Sequence, residues 1–140
     1  VILLDTNVVS ETMRPIPDAR VISWLNAQAS DTVYLSTVSL AELLLGIAVL
    51  PDGRRKSDLA SSLADKVVKM FGPRLLSFNP ASAQAYALLV SRARATGRSI
   101  GLADGLIAAI ATAHGLAVAT RDIAPFAAAG VLVINPWSVP

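Results

Sequence analysis

The chain has 140 residues, enough for one domain with a buried core, and a formal net charge of +2. It has no cysteine and a single histidine, His114, which excludes disulfides, thiolate sites and multi-histidine zinc centres. Hydrophobic residues make up 54% and aromatic residues only 5%, so the core must be built from Ala, Leu, Val and Ile, as suits helices around a buried parallel sheet.

Ile2 to Leu4 reads as a short buried strand ending at Asp5. It lacks a basic flank and Asp5 interrupts it at once, so it is not read as a signal peptide. A turn through Asp5-Thr6-Asn7 leads into a helix broken near Pro15 and Pro17, and Asp18 caps a second helix reaching about Ala27. Val33 to Ser36 is the next strand. Ser39 opens the clearest helix, with Leu40, Leu43, Leu44, Ile47 and Leu50 at helical spacing and Pro51-Asp52-Gly53 as its stop. The apolar run from Thr32 to Pro51 is interrupted by Glu42 and changes from strand to helix pattern, so it is read as buried in protein, not lipid.

Arg54-Arg55-Lys56 starts a more polar helix through about Phe71, and Leu75 to Phe78 is strand-like. Asn79-Pro80 supplies a cap and first-turn proline for a helix to about Thr96, with Tyr86, Leu89, Val90 and Ala93 as its core stripe. Leu102 to His114 is apolar nearly all round and should be buried centrally. Strands at Leu116 to Thr120 and Val131 to Ile134 flank a short helix around Ala124 to Ala128, and Asn135-Pro136-Trp137 forms an irregular end. Short strands alternating with helices predict an α/β fold with a parallel sheet covered on both faces. No repeat, low-complexity tract or linker divides residues 1–140, so a single domain is expected.

Four acids stand alone in apolar or small-residue surroundings. Asp5 follows the first strand, Glu42 is the only charge between Asp31 and Asp52, Asp104 is the only charge from Ile100 to Ala113, and Asp122 follows Ala119-Thr120-Arg121. Lone carboxylates beside buried elements are costly unless something pairs with them. In parallel sheets, strand ends and the first turns of the following helices share one edge, where ligands bind. That edge is expected to collect all four. Clustered carboxylates repel one another, and a hard cation such as Mg²⁺ or Mn²⁺ removes the conflict. Without these four, 12 basic residues face 6 acidic ones, a positive body around a negative pocket that suits a polyanionic substrate.

Each acid also has a structural reading. Ser39-Leu40-Ala41-Glu42 fits a capping box, Asp104 can complement its helix dipole, Asp122 can cap the next helix or pair with Arg121, and Asp5 can serve a turn at the strand exit. Four such coincidences at one edge are less economical than one shared cation.

Ile2-Leu3-Leu4-Asp5-Thr6-Asn7, Ser39-Leu40-Ala41-Glu42-Leu43, Leu102-Ala103-Asp104 and Ala119-Thr120-Arg121-Asp122 together resemble the motifs of PIN-domain proteins, in order and over essentially the whole chain. The likeness is greatest to the VapC/FitB-like toxins of bacterial type II toxin–antitoxin pairs, which Ser10-Glu11, Arg14-Pro15 and Asn135-Pro136-Trp137 also resemble. The resemblance implies a three-layer α/β/α PIN-like domain with a central parallel sheet of four to five strands. It further implies a Mg²⁺- or Mn²⁺-dependent endoribonuclease in which Asp5, Glu42, Asp104 and Asp122 bind metal and Thr120 supplies the hydroxyl of the last motif. Its expected partners are an RNA substrate, a second copy of the chain, and a small antitoxin with a ribbon-helix-helix region. Through that antitoxin it would reach operator DNA, as a homodimer or a larger toxin–antitoxin assembly. The expected location is cytoplasmic, without membrane association. Val1 stands where Met is expected, and no motif is affected.

Arg54, Arg55 and Lys56 are candidates for RNA backbone contacts, although such a run is more often a solvated helix start. Arg94 and Arg98 are expected on one helix face. Trp24 and Trp137 read as packing or interface residues, and His114 as a helix cap. The alternative function is a catalytically silent PIN-fold partner of a DNA-binding antitoxin, acting in operon autoregulation. A phosphoaspartate phosphatase would need an acid where Asn7 stands.

Overall fold

The computed structural model describes residues 1–138. Five parallel strands form one sheet: β1 (Ile2–Leu4), β2 (Val33–Ser36), β3 (Leu75–Leu76), β4 (Ala117–Ala119) and β5 (Val133–Ile134), in the order β3-β2-β1-β4-β5. The central register pairs Leu4 with Leu35 on one side and with Ala119 on the other. β3 and β5 are shorter than the apolar runs suggest, because each pairs with one neighbour only and has no second ladder to extend it.

The connections explain both faces of the sheet. From β1 the chain runs through α1 (Thr6–Thr12) and α2 (Ala19–Asn26) to β2, then through α3 (Thr37–Ala48) and α4 (Arg54–Ser62). A π-helical stretch, Leu63–Val68, and α5 (Lys69–Phe71) continue α4 toward β3. These elements cover one face, where Ile2, Leu4, Leu35, Val8, Val21, Leu43 and Phe71 share a core. α6 (Pro80–Ala95), α7 (Leu102–His114) and α8 (Ile123–Ala128) cover the other. There Leu3, Val118, Leu89, Ile107, Ile110 and Phe126 pack together. Alternation along β1, with Leu3 on one face and its neighbours on the other, follows the two-residue period of a strand.

α7 is the buried central helix its composition predicts: Ile107 to Ala111 are wholly inaccessible. It ends at Gly115, whose φ of 66° is the left-handed conformation that glycine supplies without a Cβ penalty. α6 and α7 approach closely at Gly105, where an added Cβ would stand 3.0 Å from Cε2 of Tyr86.

Two boundary expectations change. α3 starts at Thr37 and Ser36 caps it, its hydroxyl accepting from Ser39 N at 3.0 Å. Ser39 is therefore inside the helix and buried, not its cap, and the Ser39–Glu42 capping box does not form. Arg98 lies beyond the end of α6, its amide donating to Ala93 O at 2.8 Å, so it does not share a helical face with Arg94. Among the described residues, no helix is long and apolar enough to cross a membrane.

Candidate metal and catalytic site

Strand order reverses on the two sides of β1: β2 and β3 lie one way, β4 and β5 the other. Outside the carboxyl ends of β1 and β4, this reversal opens the crevice where doubly wound sheets bind ligands. Asp5 leaves β1 and Thr120, Arg121 and Asp122 leave β4 at this point. Asp104 enters from the first turn of α7 and Glu42 from α3.

Asp5 is the anchor. It is 5% exposed and caps α1, with Oδ1 accepting from Thr6 N at 2.8 Å. Its Oδ2 accepts the Thr120 hydroxyl proton at 2.7 Å. Thr120 is fully buried, and its oxygen in turn accepts from Asn7 Nδ2 at 3.2 Å and from Asp122 N at 2.9 Å. Thr120 thus uses its single proton on Asp5 and both lone pairs on neighbours. With no exposed face, it acts on the site by fixing Asp5 and the Asp122 backbone. Asn7 extends the same network to Arg121 N at 3.4 Å.

Glu42 lies in the second turn of α3, one turn later than a capping role requires, and Oε1 accepts from Thr6 Oγ1 at 2.5 Å. Thr6 therefore fastens one carboxylate by its backbone and another by its side chain. Asp122 stands at the N-cap of α8 without a side-chain capping bond. Of the structural readings, Asp5 does act locally at the strand exit, as the cap of α1, and Asp104 stands in the first turn of α7, where it complements the helix dipole. The Ser39–Glu42 box and a side-chain cap by Asp122 are not formed.

The electrostatics are unbalanced. Among the described residues, none of the four carboxylates forms a salt bridge; the ion pairs are Arg14–Glu11, Arg20–Asp18, Lys56–Asp52 and Lys69–Asp65. Burial raises the pKa of Asp5, against the Thr120 and Thr6 hydrogen bonds that lower it, and the charges of Glu42 and Asp122 add to the rise. Asp104 is pushed up to about 6 by burial and then by Asp5, Asp122 and Glu42. The four acids are thus within reach of one another's fields, and among the described residues none is in a salt bridge.

Among the described residues, no three acidic or histidine side chains close on one point as a finished ion cage. Mg²⁺ needs only one or two direct carboxylates, with water completing the shell. An all-oxygen donor set of excess negative charge fits a hard divalent cation.

The family model for the PIN domain matches residues 2–132. The chain belongs to the PIN-domain family. The plasmid stability protein StbB of Pseudomonas syringae pv. tomato is 52% identical over 97% of this PIN domain and 98% of its own length. The toxin FitB of Neisseria gonorrhoeae is 47% identical over 97% and 98%. The VapC ribonuclease Y4jK of Sinorhizobium fredii is 46% identical over 97% of both. Among solved structures, FitAcB from Neisseria gonorrhoeae superposes with a TM-score of 0.95 at 46% identity, covering 99% of this chain and 100% of that one. FitAB bound to an IR36 DNA fragment gives a TM-score of 0.95 at 44% identity, with 100% and 98% covered.

Glu11 carries structure in this PIN domain that its sequence setting does not announce. Glu11 is 5% exposed; its carboxylate accepts from Asp18 N at 2.9 Å and pairs with Arg14 at 3.3 Å, closing the proline-rich turn between α1 and α2. Glu11, Arg14 and the Asp18 amide thus form a structural clasp. Arg55 lines a cleft with Thr6, Ser10, Glu42, Leu43 and Gly46, which places one member of the basic run beside the site. Lys56 is used otherwise, donating to Ala48 O at 3.2 Å and pairing with Asp52. His114 Nδ1 lies 2.9 Å from Ile110 O within its own helix end.

Proposed function

We propose that the chain is a divalent-metal-dependent endoribonuclease, the toxin of a type II toxin–antitoxin pair. One observation carries the reading: Asp5, Glu42, Asp104 and Asp122 gather at the sheet's switch point, among the described residues none of them forms a salt bridge, and Asp104 is raised to about 6. Such a cluster suits an ion the protein itself does not supply. The names of relatives at 46–47% identity, a VapC ribonuclease and the toxin FitB, support the same chemistry and role.

In this reading Asp5, Glu42, Asp104 and Asp122 hold Mg²⁺ or Mn²⁺. When bound, the metal supplies Lewis acidity at a phosphodiester oxygen and an activated water. The residues' own work is positional. Thr120 and the α1 amide lock both oxygens of Asp5, so one carboxylate presents a fixed edge toward the crevice. Thr6 holds Glu42 against the start of α1. The amide ends of α7 lie beside Asp104, where the helix dipole favours its anion once a cation is present.

A small DNA-binding antitoxin with a ribbon-helix-helix region, and operator DNA through it, are the partners we propose, by likeness to FitAB on its DNA fragment. Purified protein should cleave single-stranded RNA with Mg²⁺ or Mn²⁺ and stop on EDTA treatment, and Asp5→Asn should abolish cleavage while circular dichroism stays unchanged. Cleavage that survives EDTA or the substitution would overturn the metal-nuclease reading. Metal-independent antitoxin binding with no cleavage at all would instead favour the catalytically silent partner.

A further inference from the structure

Arg121 follows buried Thr120 and precedes Asp122, at the mouth of the carboxylate crevice. Its backbone is pinned from both sides: its own amide donates to Asn7 Oδ1 at 3.4 Å, and the next amide donates to Thr120 Oγ1 at 2.9 Å. The side chain is exposed, yet among the described residues it forms no salt bridge, although Asp122 follows it in sequence. Its guanidinium instead lies over the ring of Trp137, 5.1 Å from the centroid.

That platform is built. β5 runs beside β4, with Thr120 N donating to Ile134 O at 2.9 Å, so the segment after β5 emerges next to the segment after β4. Trp137 is 5% exposed and belongs to the core on the α1–α5 face. Its amide donates to Asn135 Oδ1 at 3.0 Å, and Pro136 beside it is fully buried. A guanidinium held over a fixed aromatic face keeps N–H groups free for a partner, and a guanidinium can grip a phosphate through two oxygens. The ring contact also restrains an exposed side chain. The crevice itself repels RNA, so a cation held just outside it is what a neighbouring phosphate requires.

We infer that Arg121, presented on the face of Trp137, is an RNA-binding residue that grips a backbone phosphate next to the one being cleaved. The inference rests on the ribonuclease reading and deepens it.

Fluorescence anisotropy with a labelled single-stranded RNA, in Mg²⁺ and in an Asp5→Asn background, tests it. Arg121→Ala should weaken binding about tenfold and flatten the dependence of log affinity on log salt by about 0.7, the change for one phosphate contact on a single strand. Arg121→Lys should recover the salt slope but only part of the affinity, since the charge returns without the planar fork. Trp137→Phe keeps a ring and the core and should stay near the parent, whereas Trp137→Leu should reproduce much of the Arg121→Ala loss; a melting curve shows whether each variant is folded. In cleavage assays with Asp5 intact, Arg121→Ala should raise KM far more than it lowers kcat. Unchanged affinity and salt slope in Arg121→Ala, with cleavage intact in the parent, overturns the Arg121 assignment alone. A parent that neither binds nor cleaves RNA overturns the ribonuclease reading and this inference with it.

Discussion

Thr120 Oγ1 donates to Asp5 Oδ2 at 2.7 Å, joining the exit of β4 to the exit of β1 at the point where strand order reverses. The bond is buried, and the same oxygen accepts from Asn7 and from the Asp122 amide. Replacing Thr120 by the isosteric Val strands one carboxylate oxygen and two donors at once. Thr120→Val should cost about 2 kcal/mol of stability, as unpaired buried polar groups do. It should also lower metal affinity or activity by about 10- to 100-fold, the usual effect of losing a residue that orients a ligand. Thr120→Ser keeps the hydroxyl and should recover most of both. Denaturant titration and metal-binding calorimetry read the two effects separately.

The pH dependence of the metal-free protein follows from the same cluster. Asp104 sits at about 6 and Asp5 is raised, so the folded chain holds protons that the unfolded chain has released. The Asp104 contribution to stability is full below the ordinary aspartate range and is lost as pH rises through about 6, and Asp5 acts in the same direction. Asp18 behaves oppositely: Arg20 pulls it down to about 2, so its contribution is lost only as pH falls from the ordinary aspartate value toward that range, a separate window. The metal-free melting temperature should therefore decline between the usual aspartate range and pH 7. Saturating Mg²⁺ should raise it more at pH 7.5 than at pH 5, because protons compete for the same oxygens. Asp104→Asn should raise the metal-free melting temperature at pH 7.5 and abolish the Mg²⁺ response. Equal Mg²⁺ stabilisation at both pH values would contradict this account.

The elements that position the site are legible in the sequence because their signals are strong and local. Ile2–Leu4, Val33–Ser36 and Leu102–His114 fall where apolar runs, Gly115 and flanking polar residues place them. The edge that collects the four acids follows from strand–helix alternation alone. Glu42 is different. Ser39-Leu40-Ala41-Glu42 is a good local capping sequence, but Ser36, buried at the end of β2, takes the Ser39 amide first and starts the helix earlier. Local propensity yields there to where the strand ends. The roles of Glu11 and Arg121 are hidden for another reason. Each depends on one non-local partner, the Asp18 amide and the Trp137 ring, which no spacing rule predicts.

Glu11 supplies a test of whether an acid matters by charge or by position. Its carboxylate is buried, accepts from Asp18 N and pairs with an exposed Arg14 guanidinium. Glu11→Ala leaves the Asp18 amide unsatisfied in the turn that links α1 to α2, and should cost about 1–3 kcal/mol. Glu11→Gln retains an acceptor and should cost less. Neither should alter Mg²⁺ affinity at temperatures where the protein is folded. A large loss of metal binding in folded Glu11→Gln would place Glu11 in the metal site, contrary to its geometry.

The outer face of α3 leads to the last prediction. Ala41, Leu44, Leu45, Ala48 and Val49 recur at helical spacing on the exposed side, with Leu44 at 52%, Leu45 at 63% and Val49 at 72% accessible. The opposite face of the same helix is used by Leu43 and Ile47 in the core, so this stripe is surplus to folding. A contiguous apolar stripe flanked by solvent marks an association surface. The protein should therefore sediment as a homodimer at micromolar concentration. A charge at Leu45 or Val49 places an unpaired, desolvated ion in the centre of that contact. Leu45→Glu should raise the dimer dissociation constant about 30-fold or more, the factor that corresponds to ~2 kcal/mol at an interface hot spot. Because Leu45 is exposed in the monomer, its fold should be untouched. A monomeric parent, or a Leu45→Glu variant with unchanged dimer affinity, would show that the α3 stripe is not the contact.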